Sequence, residues 1–194
     1  LSETLRSLKK SNNWSYNVAW LDTSATGKNK GRSVLIRGEH LEKKNKQLID
    51  TRFLEKKKIN IFFQFPKWFM NSLFIKMLNS VYFKLNKAEK KFVNLDSYFY
   101  QLDKIKNWNL IYGKNGFISY QCVVPHKKSQ QAIEKILDVL IINKSYSFVS
   151  VIKLLGRNDG FLSFGIKGYT LVFDFPIYKN IYEVLEKIDN IVMF

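Results

Sequence analysis

The 194-residue sequence contains a single cysteine, Cys122, and two histidines, His40 and His126. One cysteine excludes an internal disulfide and a cysteine-based zinc site. Cysteine is among the most frequently buried residue types, so we expect Cys122 to be a small buried hydrophobe in a strand. The two histidines do not lie at metal-ligand spacing, and we expect both to be exposed and without a catalytic role.

The sequence also lacks a long hydrophobic run. A membrane-spanning helix needs about eighteen consecutive apolar residues, and none are present. The sequence starts at Leu1 without an initiator methionine or the apolar stretch of a signal peptide, and its last helical pattern reaches Phe194 without a cap signal. We therefore expect a piece of a longer polypeptide, in the cytoplasm, with association to a membrane surface left open.

Acidic residues are scarce: 16 stand against 32 lysines and arginines, which gives a net charge of +16. Such a charge favours nucleic acids, anionic membranes or phosphorylated ligands as partners. The lysines are spread along the chain and rise together with asparagine, as in segments 28–30 and 43–46, so a drift in composition explains the charge better than a dedicated polyanion surface. A mild attraction to phosphate-bearing substrates remains in either case.

A composition of 46% hydrophobic and 15% aromatic residues is that of a globular protein, and the length favours one domain, residues 1–194. Strand-like runs at 16–21 and 32–37 flank a glycine- and lysine-bearing loop and predict a hairpin. The charged segment 43–58 is expected to be a surface connection. The aromatic-rich block 59–85 has near-helical spacing, with Pro66 as a first helical position.

The second half of the sequence alternates strands and helices. After the strand-like segment 117–124, Ser129 is placed to cap a helix with an apolar stripe. After the segment 168–175, Asn180 and Glu183 have the form of a capping box. This order predicts an α+β fold, an antiparallel sheet with helices packed mainly on one face.

The segment 117–124 carries polar side chains on one face. Successive side chains of a strand point to opposite faces, so Ser119 and Gln121 lie together while the other face is apolar. Gln121 can hold a sugar hydroxyl or a flavin edge with its two donors and one acceptor. The alternative is a plain cross-strand hydrogen bond.

The segment 168–175 shows the same division. Its odd positions are wholly apolar, whereas Thr170, Val172 and Asp174 share the other face. Lys153 lies in a third, otherwise apolar run, and burying an unpaired ammonium group is costly. Lys153 either pairs with a carboxylate such as Asp174 or reaches a hydroxyl or phosphate oxygen of a substrate.

These segments carry a resemblance to a known family. In order along the chain, the matching segments are 19–22, 31–34, 37–38, 102–103, 108–109, 112–113, 116–125, 151–156, 162–164 and 168–176. They resemble the substrate-binding domain of FAD-linked oxidases of the vanillyl-alcohol-oxidase type, above all the decaprenylphosphoryl-ribose oxidase family. The resemblance covers nearly the whole chain and is loose between Phe53 and Asp96.

The resemblance implies that this chain covers the isoalloxazine ring of FAD and completes a sugar site. In such oxidases a secondary sugar hydroxyl is oxidised by hydride transfer to the flavin. Lys153 matches the substrate-contacting lysine of the family and Gln121 its site glutamine. Leu102 and Trp20 match apolar wall positions.

Several positions depart from the family pattern. Phe99 replaces a tyrosine, Ser119 a glutamine, Thr170 an asparagine and Val172 a cysteine that some members have. These changes make a related sugar, sugar-phosphate or polyol an equal candidate for the substrate.

The flavin-binding segments of the family have no counterpart in this chain. We therefore expect an FAD-binding domain elsewhere in the same polypeptide, a fragment that is inactive alone, and no metal. Two other classes stay open: a basic nucleic-acid-binding module with aromatic stacking platforms, which the sequence favours less, and an interaction domain without a site.

Overall fold

The computed structural model describes residues 1–41, 58–66, 68–156, 160 and 166–193. The expected surface connection at 43–58 lies outside these residues apart from Lys58, and so does the family-like segment 162–164.

The centre of the fold is a five-stranded antiparallel sheet with the strand order β2-β1-β6-β7-β5. A separate parallel pair is formed by β3 and β4. The strands of the described residues are β1 (Tyr16–Leu21), β2 (Ser33–Gly38), β3 (Ile59–Asn60), β4 (Ile105–Lys106), β5 (Phe117–Pro125), β6 (Ser150–Leu155) and β7 (Gly168–Pro176). The hairpin and the antiparallel sheet predicted from the sequence are confirmed.

Three helices cover one face of this sheet and build the core. The α-helices of the described residues are α1 (Ser2–Lys10), α2 (Ser72–Leu85), α3 (Leu95–Phe99), α4 (Ser129–Ile142) and α5 (Ile181–Val192). The three that cover this face are α1, α4 and α5. Leu8 of α1, Ile136 of α4 and Ile188 of α5 are fully buried with the odd-numbered side chains of β7 in one hydrophobic cluster. The amphipathic pattern of α4 and α5 buries one face of each helix against the sheet. The α+β class with helices mainly on one face is confirmed.

Three local predictions were wrong. The helix expected to start at Pro66 begins at Ser72, because the Asn71 side chain caps it by accepting a hydrogen bond of 2.9 Å from the backbone N–H of Phe74. Ser129 lies inside α4 rather than capping it, since its hydroxyl donates to the carbonyl oxygen of His126. Asn180 occupies the N-cap position of α5, but no side-chain hydrogen bond forms there, so the capping box is absent.

Candidate functional site

The face of the sheet opposite α1, α4 and α5 is called the open face here, and cross-strand pairing places its side chains in rows. One row runs across four strands, from Gln121 through Val172 and Val151 to Trp20. Partners in an antiparallel pair point to the same side of the sheet. The alternation predicted for β5 and β7 is therefore confirmed.

A neighbouring row brings Lys153 beside Thr170, its direct cross-strand partner. The Gln121 side chain donates a hydrogen bond of 3.2 Å from Nε2 to Oγ1 of Thr170. Thr170 is buried, whereas the side chains of Gln121 and Lys153 are exposed. The structure thus joins three predicted site residues from three strands into one polar group, which we call the polar triplet.

The predicted wall residue Trp20 is covered rather than open. Its indole N–H donates a hydrogen bond of 2.8 Å to the carbonyl oxygen of Phe148. The Tyr82 ring of α2 packs against the Trp20 ring, with 4.6 Å between the ring centres. Trp20 therefore lies under α2, where this helix covers the β1 end of the row. Val172 and Val151 of the same row are half-buried and form the apolar floor beside Gln121.

Phe99 lies at the β1–β2 end of the open face. Its ring meets the ring of Tyr16 edge to face at 4.8 Å, and Tyr16 shares the strand face of Trp20. Gly38 allows the neighbouring Tyr98 ring to lie against β2, because a Cβ there would lie 2.6 Å from that ring. Leu102 starts a short 3-10 turn and is exposed.

Ser119 and Asp174 form a further pair across β5 and β7. Asp174 is almost fully buried, which raises the pKa of its carboxyl, and the Ser119 hydroxyl partly offsets this shift. Asp174 lies four residues along β7 from Thr170, about 13 Å away. The register therefore rules out a salt bridge between Asp174 and Lys153, the alternative that the sequence left open.

Asp174 is also a residue whose setting the sequence did not reveal. The alternation of β7 predicts that Asp174 lies on the open face, and the only role predicted for it is that of a possible ion-pair partner of Lys153. A lone carboxylate within an otherwise apolar strand is the signal that it would be buried with a perturbed pKa.

A buried polar network centred on Asp22 fixes α2 against the sheet. The fully buried Asp22 carboxylate accepts hydrogen bonds from the backbone N–H and hydroxyl of Ser24, at 2.9 and 2.6 Å. It also accepts a hydrogen bond of 2.8 Å from Nε of Arg32 and one of 3.1 Å from the side-chain amide of Asn79 in α2. The Arg32 guanidinium stacks on the Phe83 ring at 4.5 Å. This network holds the helix that borders the open face.

The remaining polar candidates have structural surroundings. His40 is exposed, as expected, and shares a hydrogen bond of 2.9 Å with the hydroxyl of Tyr16. The expectation that His126 is also exposed was wrong: it is half-buried against the Tyr169 ring, because it starts the turn into α4. Cys122 is buried as expected, and burial raises the pKa of its thiol to about 12. The described residues contain no cluster of three metal-ligating side chains.

Fold and site together define a small α+β domain whose sheet has one face partly covered by α2, with the exposed polar side chains of Gln121 and Lys153 on that face. Sequence comparison relates this domain to an oxidase. The chain is 30% identical over 191 residues to decaprenylphosphoryl-beta-D-ribose oxidase of Mycolicibacterium smegmatis. The match covers 93% of this chain and 40% of the relative's length. No protein-family model matches the chain.

The relationship to an oxidase is thus confirmed, while the role as its substrate-binding domain stays a prediction. The comparison gives no support to the nucleic-acid-binding alternative. In the part of the chain that the structure describes, no helix has the length and apolar character needed to cross a bilayer.

Proposed function

We propose that this chain is the substrate-binding domain of an FAD-dependent oxidoreductase that oxidises a secondary hydroxyl of a sugar, a sugar-phosphate lipid or a related polyol. The observation that carries the proposal is the polar triplet of Gln121, Thr170 and Lys153 on the open face of a chain related to an oxidase. Convergent polar groups on a partly apolar surface are the usual setting for a small-molecule site.

Lys153 supplies the charge of this site. Its ammonium group has three donors and binds an anionic or hydroxyl oxygen without needing a bidentate geometry. Because its side chain is exposed, it can reach a ligand that lies on the open face. The phosphate of a sugar-phosphate lipid would meet a positive charge at the edge of the sugar.

Gln121 and Thr170 orient the sugar. Their hydrogen bond fixes the rotation of the Gln121 amide, which retains a second N–H and the carbonyl oxygen as bonding groups. These groups would bind sugar hydroxyls or the polar edge of a flavin ring. A positioned hydroxyl brings the reacting carbon to a defined place, which is the main contribution of a protein to cofactor chemistry.

The open face fits a covering role toward FAD. Gln121 lies beside the apolar floor of Val172 and Val151, a surface against which a planar ring can lie. When bound, the flavin would supply the acceptor for the hydride from the sugar carbon. The sequence has no glycine-rich pyrophosphate segment, so the proposed holder of FAD is another domain of the same polypeptide.

The side chains that depart from the family pattern decide which sugar is bound. Thr170 offers a hydroxyl where an amide stands in the family, and Phe99 offers an apolar ring where a phenol stands. Both changes remove hydrogen-bonding groups around the sugar. A substrate with fewer or differently placed hydroxyls is therefore our proposal for this chain.

Flavin retention tests the division of labour. We expect the full-length polypeptide that contains this chain to purify yellow, with about one flavin per molecule by ultraviolet–visible absorption. The separately expressed chain, folded by circular dichroism, is expected to retain none. A yellow separate chain, or a colourless full-length polypeptide that takes up no added FAD, would contradict the proposal.

A further inference from the structure

The outer face of α2 carries an exposed apolar stripe. Its members are spaced four residues apart and therefore lie on one side of the helix. They are Leu73, Met77, Val81 and Leu85, with exposed fractions of 75%, 52%, 46% and 76%. The opposite side of α2 buries Ile75 and Asn79 toward the sheet. Single exposed apolar residues are ordinary, but a contiguous stripe of this kind marks an interaction surface.

Exposed aromatic side chains also lie just before α2 in the chain. Phe62, Phe63 and Trp68 precede α2 and are 83%, 63% and 71% exposed. The Phe69 ring contacts the ring of Trp68 at 6.4 Å and the ring of Phe74 in the first turn of α2 at 4.3 Å, centre to centre. We call these aromatic side chains and the stripe together the α2 patch.

Two lysines flank the stripe of the α2 patch, and the segment of the chain that carries the patch is rich in lysine. Lys76 and Lys84 are exposed and each lies three residues after a member of the stripe, so they flank it on the same side of the helix. Among the described residues from 58 to 106 there are eight lysines: Lys58, Lys76, Lys84, Lys87, Lys90, Lys91, Lys104 and Lys106. Three carboxylates stand against them, Glu89, Asp96 and Asp103, and the first is paired with Lys91.

We propose that the α2 patch docks on the surface of an anionic lipid bilayer. Tryptophan, phenylalanine and leucine side chains beside lysines are the composition of surfaces that lie in the membrane interface. The lysines match the negative charge of anionic headgroups, and their stems can lie along the apolar stripe. Lysine is depleted in protein–protein interfaces, which argues against a second protein surface as the occupant.

The position of the α2 patch gives this docking a consequence. The inner side of α2 places Tyr82 on Trp20, so the helix borders the open face while its outer side points away from the sheet. A bilayer bound at the patch would hold the open face next to lipid. The inference is independent of the proposed function, because membrane binding requires no catalysis.

Vesicle flotation of the full-length polypeptide tests the proposal. We expect it to float with phosphatidylcholine vesicles that contain phosphatidylglycerol, less with pure phosphatidylcholine, and to be released from the former by high salt. The double variant Leu73→Ser/Met77→Ser should lower the partition coefficient at least about tenfold, since both side chains lose apolar burial. Lys76→Gln/Lys84→Gln should lower it about fivefold for each charge removed, on anionic vesicles alone.

Matched controls lie elsewhere on the molecule. Ile142→Ser removes an equally exposed apolar side chain, 78% accessible, at the end of α4. Lys127→Gln/Lys128→Gln removes two exposed charges before α4. We expect vesicle binding to be unchanged in both. Tryptophan fluorescence should shift to the blue on binding, and Trp68→Phe should abolish most of that shift.

Three outcomes would overturn the proposal. The first is a wild-type protein that does not float with anionic vesicles. The second is an equal loss of binding in the control variants. The third is a wild-type protein that binds no vesicles together with a Leu73→Ser/Met77→Ser variant that has a lower Tm or no longer self-associates. That result would assign the patch to a contact with another domain or with a second copy.

Discussion

Replacing Lys153 with methionine is expected to lower kcat/KM of the proposed full-length oxidoreductase for its sugar substrate by about 10- to 100-fold. Methionine keeps most of the side-chain length but removes the ammonium group that the open face presents beside Thr170. A hydrogen bond that involves a charged partner contributes about 1.5 to 3 kcal/mol. Steady-state turnover and flavin absorbance of the same preparation measure the effect and separate it from cofactor loss.

Two further variants give this prediction its control. Lys153→Arg retains the charge and should recover part of the activity, while Lys128→Met removes an exposed lysine before α4 and should change nothing. Flavin content is expected to stay at the wild-type level in all three proteins. Unchanged kinetics in Lys153→Met would remove this lysine from the site.

Replacing Asp22 with alanine is expected to destabilise the folded chain by about 3 to 5 kcal/mol, the usual cost of breaking a buried ion pair from one side. The substitution leaves the Arg32 guanidinium, the Ser24 N–H and the Asn79 amide without their common acceptor. For a domain of this size the loss corresponds to a fall in Tm of about 6 to 20 °C. Thermal unfolding followed by circular dichroism measures it.

The chain offers a matched surface ion pair as the comparison. Asp138 accepts a hydrogen bond of 2.6 Å from Nζ of Lys30, but the Asp138 side chain is 54% exposed. Exposed pairs contribute about 1 kcal/mol or less, so Asp138→Ala should shift Tm by a few degrees at most. Similar Tm values for Asp22→Ala and the wild type would show that the Asp22 network does not hold α2 in place.

The arrangement of the open face could be predicted from the sequence because a strand has a side-chain period of two. Once β5 and β7 were recognised, alternation placed Gln121 and Thr170 on the same side as Asp174. The side was also predictable, since the odd positions of β7 are all apolar and must face the helices. The hydrogen bond between Gln121 and Thr170 follows from register, which depends on pairing between distant segments.

The contacts of α2 could not be predicted from the sequence in the same way. The sequence predicts a start at Pro66, which is compatible with a first helical turn, whereas the Asn71 cap fixes the start at Ser72. The Asp22 network joins residues up to 57 positions apart, and no local pattern encodes such a contact. The sequence does not show that Trp20 is covered, because the covering residue, Tyr82, lies in α2.

The central claim is that the open face of the sheet binds the substrate of an oxidoreductase. A crystal structure of the full-length polypeptide with a bound sugar substrate or a non-reactive analogue tests it most directly. We expect the sugar to lie within hydrogen-bond distance of Nζ of Lys153 and of the Gln121–Thr170 pair. A sugar bound elsewhere, with these three side chains in contact with other protein groups alone, would contradict the claim.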